Sequence, residues 1–303
     1  MGFIEFKGGD FYLLNIIRQR SMQHRQLEYM ELRGVTNNDK QKKLEALRMG
    51  FRGELQFDDL IGEEIPDVVH LKDYRFYIDD NEYQIDNILL TGDNLFLFEV
   101  KNFSFDLKYT PDTWKFMNGK DWIDPITQVD QQRNKFNQLL LPTNYQLPIY
   151  SNLVFINPSQ TIYNLTEHPK VHTFSNIRKR LNIIHKENAV NHTHLLKFLE
   201  DTRVIHSKYN QDIEIEIDKM KKGIVCSECF NFTQKVNRNR FVCPGCLKKF
   251  TATDSANELI KEMLILNKES RLSSYRMAAL SGGQLSSSLF RKKEVISLWG
   301  YNV

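Results

Sequence analysis

From Val68 to Tyr109 the chain runs in short β-branched and aromatic stretches: VVHL, YRFYI, YQIDNILL, LFLFEV and FSFDLKY. Gly, Asn and Asp punctuate them, which is the texture of strands joined by turns. On both sides the apolar spacing lengthens to that of helices. Upstream, Leu13, Leu14, Ile17, Leu27, Met30 and Leu32 recur at helical spacing, and GVTNND ends the pattern. A second helix is predicted from about Lys40 to Ile61, with a stripe of Leu44, Leu47, Phe51, Leu55 and Leu60. Downstream, DPITQVDQQRNKFNQLLL reads as a helix because Pro125 stands near its start and Val129, Phe136, Leu139 and Leu140 share one face. IYSNLVFIN is a buried strand, and VHTF is one more.

Residues 176–222 read as mainly helical and polar, ending at DKMKKG. A cysteine module follows, and the tail predicts short helices at Ala256–Leu266 and Ser274–Leu280, an SGG turn, and a helix from Ser286. The expected division is 1–49 helical, 50–175 mixed α/β, 176–222 helical linker, 223–252 cysteine module and 253–303 tail.

Composition adds limits. The 303 residues are 41% hydrophobic and 26% charged, the balance of an ordinary soluble globular protein. No apolar run approaches the roughly 20 residues that span a bilayer, and MGFIEFKGGDFYLL lacks the plan of a secretory signal. A cytoplasmic protein with no membrane partner is expected. The net charge of +3 hides an asymmetry: Asp218–Phe250 holds eight Lys and Arg against two acids. A basic module on an acidic body suits a polyanionic partner, or is a solvated lysine-rich face.

The most informative strand pair is QIDNILLTGDNLFLFEVKN. With TGDN as the turn, Leu90 faces Leu95, and the same register sets Asp86 opposite Glu99. Lys101 projects from the face of Glu99. Like charges opposed across strands repel. A raised pKa on one acid or a bound cation relieves the repulsion; an exposed hairpin with solvated acids is the alternative. Mg²⁺, or Mn²⁺, suits such a pair of carboxylates. Pro66-Asp67 mimics the start of a PD…ExK pattern but lies outside the hairpin. Glu54, on a helix beside Gly53, and Gln128, opening the later helix, are further polar candidates.

All four cysteines form two C-x-x-C knuckles, Cys226/Cys229 and Cys243/Cys246, with 13 residues between them. This is the pattern of a zinc ribbon around one structural Zn²⁺. Lys235, Arg238, Arg240, Lys248 and Lys249 of the module can meet phosphates. So can Arg291 and Lys292 of the tail if its helix, turn and helix form a helix-turn-helix; a small helical cap is the alternative. The eight histidines are scattered and form no competing catalytic set.

FRGE on a helix, then QIDNILL, LFLFEVKN and DPITQVDQQRNKF resemble the nuclease-related domain, NERD, a branch of the PD-(D/E)xK nucleases. The resemblance covers about residues 50–160. It implies a restriction-endonuclease-like mixed sheet flanked by helices. It also implies metal binding by Asp86 and Glu99, a catalytic Lys101, and supporting roles for Glu54 and Gln128, with Asn102 completing EVKN. This chain has Asp124-Pro125 where the family often has Asn-Pro. The implied activity is metal-dependent hydrolysis of DNA phosphodiesters. Expected partners are DNA, a helicase or other DNA-processing protein, and a second copy, since many nucleases of this fold pair. A non-catalytic DNA-binding protein and a partner-recruiting module stay open as alternatives.

Overall fold

The computed structural model describes residues 2–5, 11–15, 17–110, 113–185, 192–205, 207–208, 216–266 and 273–291. In chain order the elements begin with β1 (Gly2–Glu5), β2 (Phe11–Asn15), α1 (Met22–Arg33) and α2 (Asn38–Glu64). There follow β3 (Val69–Ile78), β4 (Asn81–Leu90), β5 (Leu95–Lys101), β6 (Leu107–Thr110), β7 (Thr113–Phe116) and β8 (Asp121–Trp122). Next come α3 (Pro125–Leu140), β9 (Ile149–Phe155), β10 (Ile162–Tyr163), β11 (Val171–Thr173), α4 (Ile177–His185) and α5 (Thr193–Asp201). The last are β12 (Gln234–Asn237), β13 (Arg240–Val242), β14 (Lys249–Thr251), α6 (Ala252–Leu266) and α7 (Ser274–Leu280). They form two compact units, Met1–Gln19 with Ala46–Tyr209, and Arg20–Glu45 with Asn210–Val303.

In the first unit a five-stranded mixed sheet has the order β11-β9-β5-β4-β3. The β3-β4-β5 meander is antiparallel, while β9 and β11 add in parallel. Helices cover both faces because the inner strands are apolar on both, as buried parallel strands must be. On β5, Leu95 and Leu97 pack with Phe136, Leu139 and Leu140 of α3 and with Leu195, Leu196 and Leu199 of α5. The alternate residues Phe96 and Phe98 pack with Phe57, Leu60 and Ile61 of α2 and Ile177, Leu181 and Ile184 of α4. A smaller sheet, β10-β6-β7-β8, shares an aromatic core in which Trp114 packs near Val129 and Phe155.

In the first unit three expectations change. Residues 11–15 form a strand, not the start of a helix; FYLL is too short an apolar run for periodicity to separate the two. Residues 176–201 are not a linker, since the apolar sides of α4 and α5 are almost fully buried in the first unit's core. On α2, Leu55 faces outward and Phe57 takes the buried place.

In the second unit, β12-β13-β14 form an antiparallel sheet. Arg33 of α1 is fully buried and grips Glu262 of α6 with Nε and Nη2, both at 2.7 Å. Its Nη1 donates to the carbonyls of Lys221 and Gly223, which anchors the lead into the cysteines. The tail helices appear at Ala252–Leu266 and Ser274–Leu280, and Gly282 and Gly283 turn the chain with positive φ. The helix expected from Ser286 is, among the described residues, a single 3-10 turn at Leu289–Arg291. No described helix is long and apolar enough to cross a membrane.

Candidate metal centres

The β4-β5 pairing runs from Leu90↔Leu95 to Asn87↔Phe98 in the expected register. It stops one pair short of Asp86 and Glu99. There the Asp86 side chain takes over: Oδ2 accepts the Val100 N–H at 3.0 Å. On the other edge of β4 the pairing with β3 also skips Asp86, opposite Asp73. Asp73 has φ +47°, a left-handed conformation that Asp tolerates better than most residues. The strand alternation slips here. Leu71 and Tyr74 join one core cluster, as do Ile85 and Ile88, although odd spacing should send each pair to opposite faces. This slip buries Asp86 to 8% exposure within the sheet, next to Asn87 at 0%.

Glu99, 6% exposed, is held by three donors. Lys101 Nζ lies 2.6 Å and Gln128 Nε2 2.8 Å from Oε1, and Gln132 Nε2 lies 2.8 Å from Oε2. Lys101 Nζ also donates to Gln128 Oε1 at 3.1 Å. Gln128 and Gln132 stand one turn apart on α3, so both reach the same carboxylate. The helix is aimed by its N-cap: Asp124 accepts from the amides of Ile126 and Thr127, with Pro125 in the first turn. Asp at this position is therefore a good capping residue.

Glu54 comes from α2, which approaches the end of β5 closely. A Cβ on Gly53 would sit 2.4 Å from Asn102 Cβ and 3.1 Å from Ile156 Cγ2. Asn102 Nδ2 fastens the helix by donating to the Met49 carbonyl at 2.8 Å. Burial pushes Glu54 up to about 7; the charges of Asp73, Asp58 and Glu99 add to this and Arg18 opposes it. Asp86 is held well above the ordinary carboxylate range by burial first, then by the charges of Glu99 and Glu54. Among the described residues no Lys, Arg or His lies within ion-pair distance of Asp86. Asp67, by contrast, is exposed in the turn before β3.

The structure thus brings Asp86, Glu99, Lys101, Gln128 and Glu54 into one region. It adds Arg18, Asp58, Asp73 and Gln132, which sequence reading missed. The i, i+4 spacing to Gln128 could have found Gln132; nothing local marks Arg18. The oxygen donors of Asp86, Glu99 and Glu54 fit a hard divalent ion such as Mg²⁺.

In the second unit the four Sγ atoms of Cys226, Cys229, Cys243 and Cys246 lie within 4.8 Å of one another. The two knuckles repeat one geometry. Phe230 N donates to Cys226 O and Leu247 N to Cys243 O, each at 2.9 Å, and Phe230 and Leu247 both have positive φ. Gly245 lets the second knuckle pass close to Asn231, whose Nδ2 would lie 2.3 Å from an added Cβ. Four soft donors at this spacing fit a structural Zn²⁺, with no position left open.

The basic candidates of this unit divide. Arg240 pairs with Thr251 and Val242 with Lys249, so Arg240 and Lys249 share the sheet face away from buried Phe241 and Phe250. Arg238 is exposed in the hairpin turn. Lys235 donates to the Gln284 carbonyl at 2.7 Å, and Lys248 pairs with Glu228 at 2.5 Å. Arg291 is exposed; Lys292 lies outside the described residues.

Residues 49–156 match the family model of the nuclease-related domain. No curated protein and no solved structure matches the chain.

Proposed function

We propose that the segment matching the nuclease-related domain hydrolyses phosphodiester bonds of DNA in a metal-dependent reaction, with the cysteine module contributing phosphate contacts. The observation that carries this reading is Asp86: a carboxylate buried in a strand where the pairing opens on both edges, beside Glu99 and without a cationic partner among the described residues. A fold does not bury an acid in this way for stability alone. Asp86 and Glu99 would hold Mg²⁺, with Glu54 in support. Bound there, a divalent ion would offer positive charge to the phosphate and would lower the pKa of a water toward neutral.

The chain's own groups do the rest. Val100 N–H fixes Oδ2 of Asp86 and leaves Oδ1 to face a ligand. Gln128 and Gln132 orient Glu99. Lys101 Nζ, held by Glu99 and Gln128, supplies a positive charge at the edge of the acids, where it can offset charge on a phosphate oxygen. Arg238, Arg240 and Lys249 offer an exposed basic surface for the backbone of the nucleic acid.

Cutting of supercoiled and linear DNA with Mg²⁺ or Mn²⁺ tests the assignment. Asp86→Ala, Glu99→Ala and Lys101→Ala should each lower the rate at least about a hundredfold. Cutting that survives all three substitutions refutes the site.

One observation favours a second reading, a DNA-binding protein without catalysis. Both oxygens of Glu99 are already engaged by Lys101, Gln128 and Gln132. Binding of DNA without cutting, unchanged by the three substitutions, would select it.

A further inference from the structure

Arg18 lies before the segment that matches the family, and its side chain is fully buried. All three guanidinium nitrogens are engaged. Nε and Nη2 form a two-pronged pair with Asp58 at 3.0 and 2.9 Å. Nη1 donates to Glu54 at 3.2 Å and lies 3.3 Å from Asp73 Oδ1. Nη2 also reaches the Asp86 carbonyl at 3.0 Å and Asn87 Oδ1 at 2.7 Å. A planar fork with five donors can hold this many acceptors; a lysine cannot.

Glu54, Asp58 and Asp73 therefore converge on a cation that the chain itself supplies. Lys72 adds a second, 3.3 Å from Asp58. His70 completes the surroundings: Asn87 Oδ1, which Arg18 holds, also accepts from His70 Nε2 at 2.8 Å, and Nε2 lies 3.8 Å from Asp58 Oδ1.

Asp73 also has Arg75 and Arg203 close by, so the chain supplies its own cations to Glu54, Asp58 and Asp73, whereas Asp86 has no cation within ion-pair distance among the described residues. A second ion would have to compete with Arg18 for Glu54, Asp58 and Asp73. Neutralisation matters here because buried like charges interact strongly.

We infer that Arg18 is a built-in cation standing where a second metal ion would otherwise bind, so that the centre takes one divalent ion on Asp86 and Glu99. This rests on the metal role proposed for those two acids. Arg18 also bridges Glu54 on α2 to the Asp86 backbone on β4, which makes it a positioning residue and not a catalytic one.

Mn²⁺ titration of the zinc-loaded full chain, followed by paramagnetic resonance of the free ion, counts bound ions without a cutting assay. The expected count is one per wild-type chain, one for Arg18→Lys, two for Arg18→Met and none for Asp86→Ala. Two ions on the wild type overturn the inference but leave the metal role of Asp86 and Glu99 standing. No ion on the wild type overturns both. A single ion on a folded Arg18→Met chain, judged by circular dichroism, overturns the inference alone. So does an ion retained by Asp86→Ala, because it would sit in the Arg18 cluster. The wild-type and Asp86→Ala counts decide the matter even if Arg18→Met does not fold.

Discussion

Gly53 stands in the interior of α2, where glycine normally costs about 1 kcal/mol relative to alanine. Here the missing Cβ has a use. An alanine would meet Asn102 Cβ at 2.4 Å, and Asn102 itself is tied to the helix at Met49. Gly53→Ala should therefore destabilise the first unit by about 1–3 kcal/mol despite its better helix propensity. Denaturant unfolding measures this, and a stabilised variant would refute the close packing. The same residue shows what reading in one dimension can do. That Gly53 permits close approach was legible in FRGE; that the neighbour is Asn102 of EVKN was not, because the two meet only when α2 lies across the end of β5. Arg18 is the opposite case. Its own stretch of chain carries no motif, and its importance comes entirely from three acids and an asparagine brought to it from α2, β3 and β4.

At the scale of elements, the β4-β5 hairpin followed its register as read, from Leu90↔Leu95 to Asn87↔Phe98. The departure lies at its open end, where the side-chain alternation of β3 and β4 slips at Asp73 and Asp86 within an unbroken register. Alternation of apolar residues cannot signal such a slip, since ILL and LFLF are apolar on both faces. The cysteine module was more legible because its chemistry is local: two knuckles, each with its own turn and hydrogen bond. Metal binding there should be cooperative with folding of the β12-β13-β14 sheet. The wild type should carry about one Zn²⁺; the double variant Cys226→Ser/Cys229→Ser should lose it, and the module should become sensitive to protease. Elemental analysis with limited proteolysis checks this; a variant that keeps its metal refutes the assignment of the four thiols.

For the whole molecule, stability should depend on pH through buried histidines. His172 is 8% exposed, and burial, with the charges of Arg180 and His168, lowers it to about 4. Unfolded, it returns to about 6.5. Between these values the unfolded chain binds a proton that the native chain does not. The stabilisation is complete above about pH 6.5 and is lost as the pH falls toward 4, up to about 3 kcal/mol. His70 behaves alike, lowered to about 4 chiefly by burial. Glu54 and Asp86 act in the opposite sense, because their raised values favour the protonated native state. The clean readout is thus a difference: urea midpoints of the wild type should fall more steeply than those of His172→Asn between pH 6.5 and 4. Parallel curves would show that His172 titrates normally.

The sequence by itself determined the parts whose information is local. These are the alternation that makes strands, the cap and stripe that make α3, the turn that sets the hairpin register, and the paired cysteines that gather four thiols able to hold a metal ion. Each depends on residues within a few positions of one another, so a periodicity or a spacing suffices to show it. Only the tertiary structure decided what surrounds Asp86. Burial, the opening of the pairing on both its edges, the grip of Gln132 on Glu99, and the placing of Arg18 among Glu54, Asp58 and Asp73 all depend on segments far apart in the chain. Charges interact through space, and the balance that makes an acid costly or useful is set by whatever the fold brings beside it.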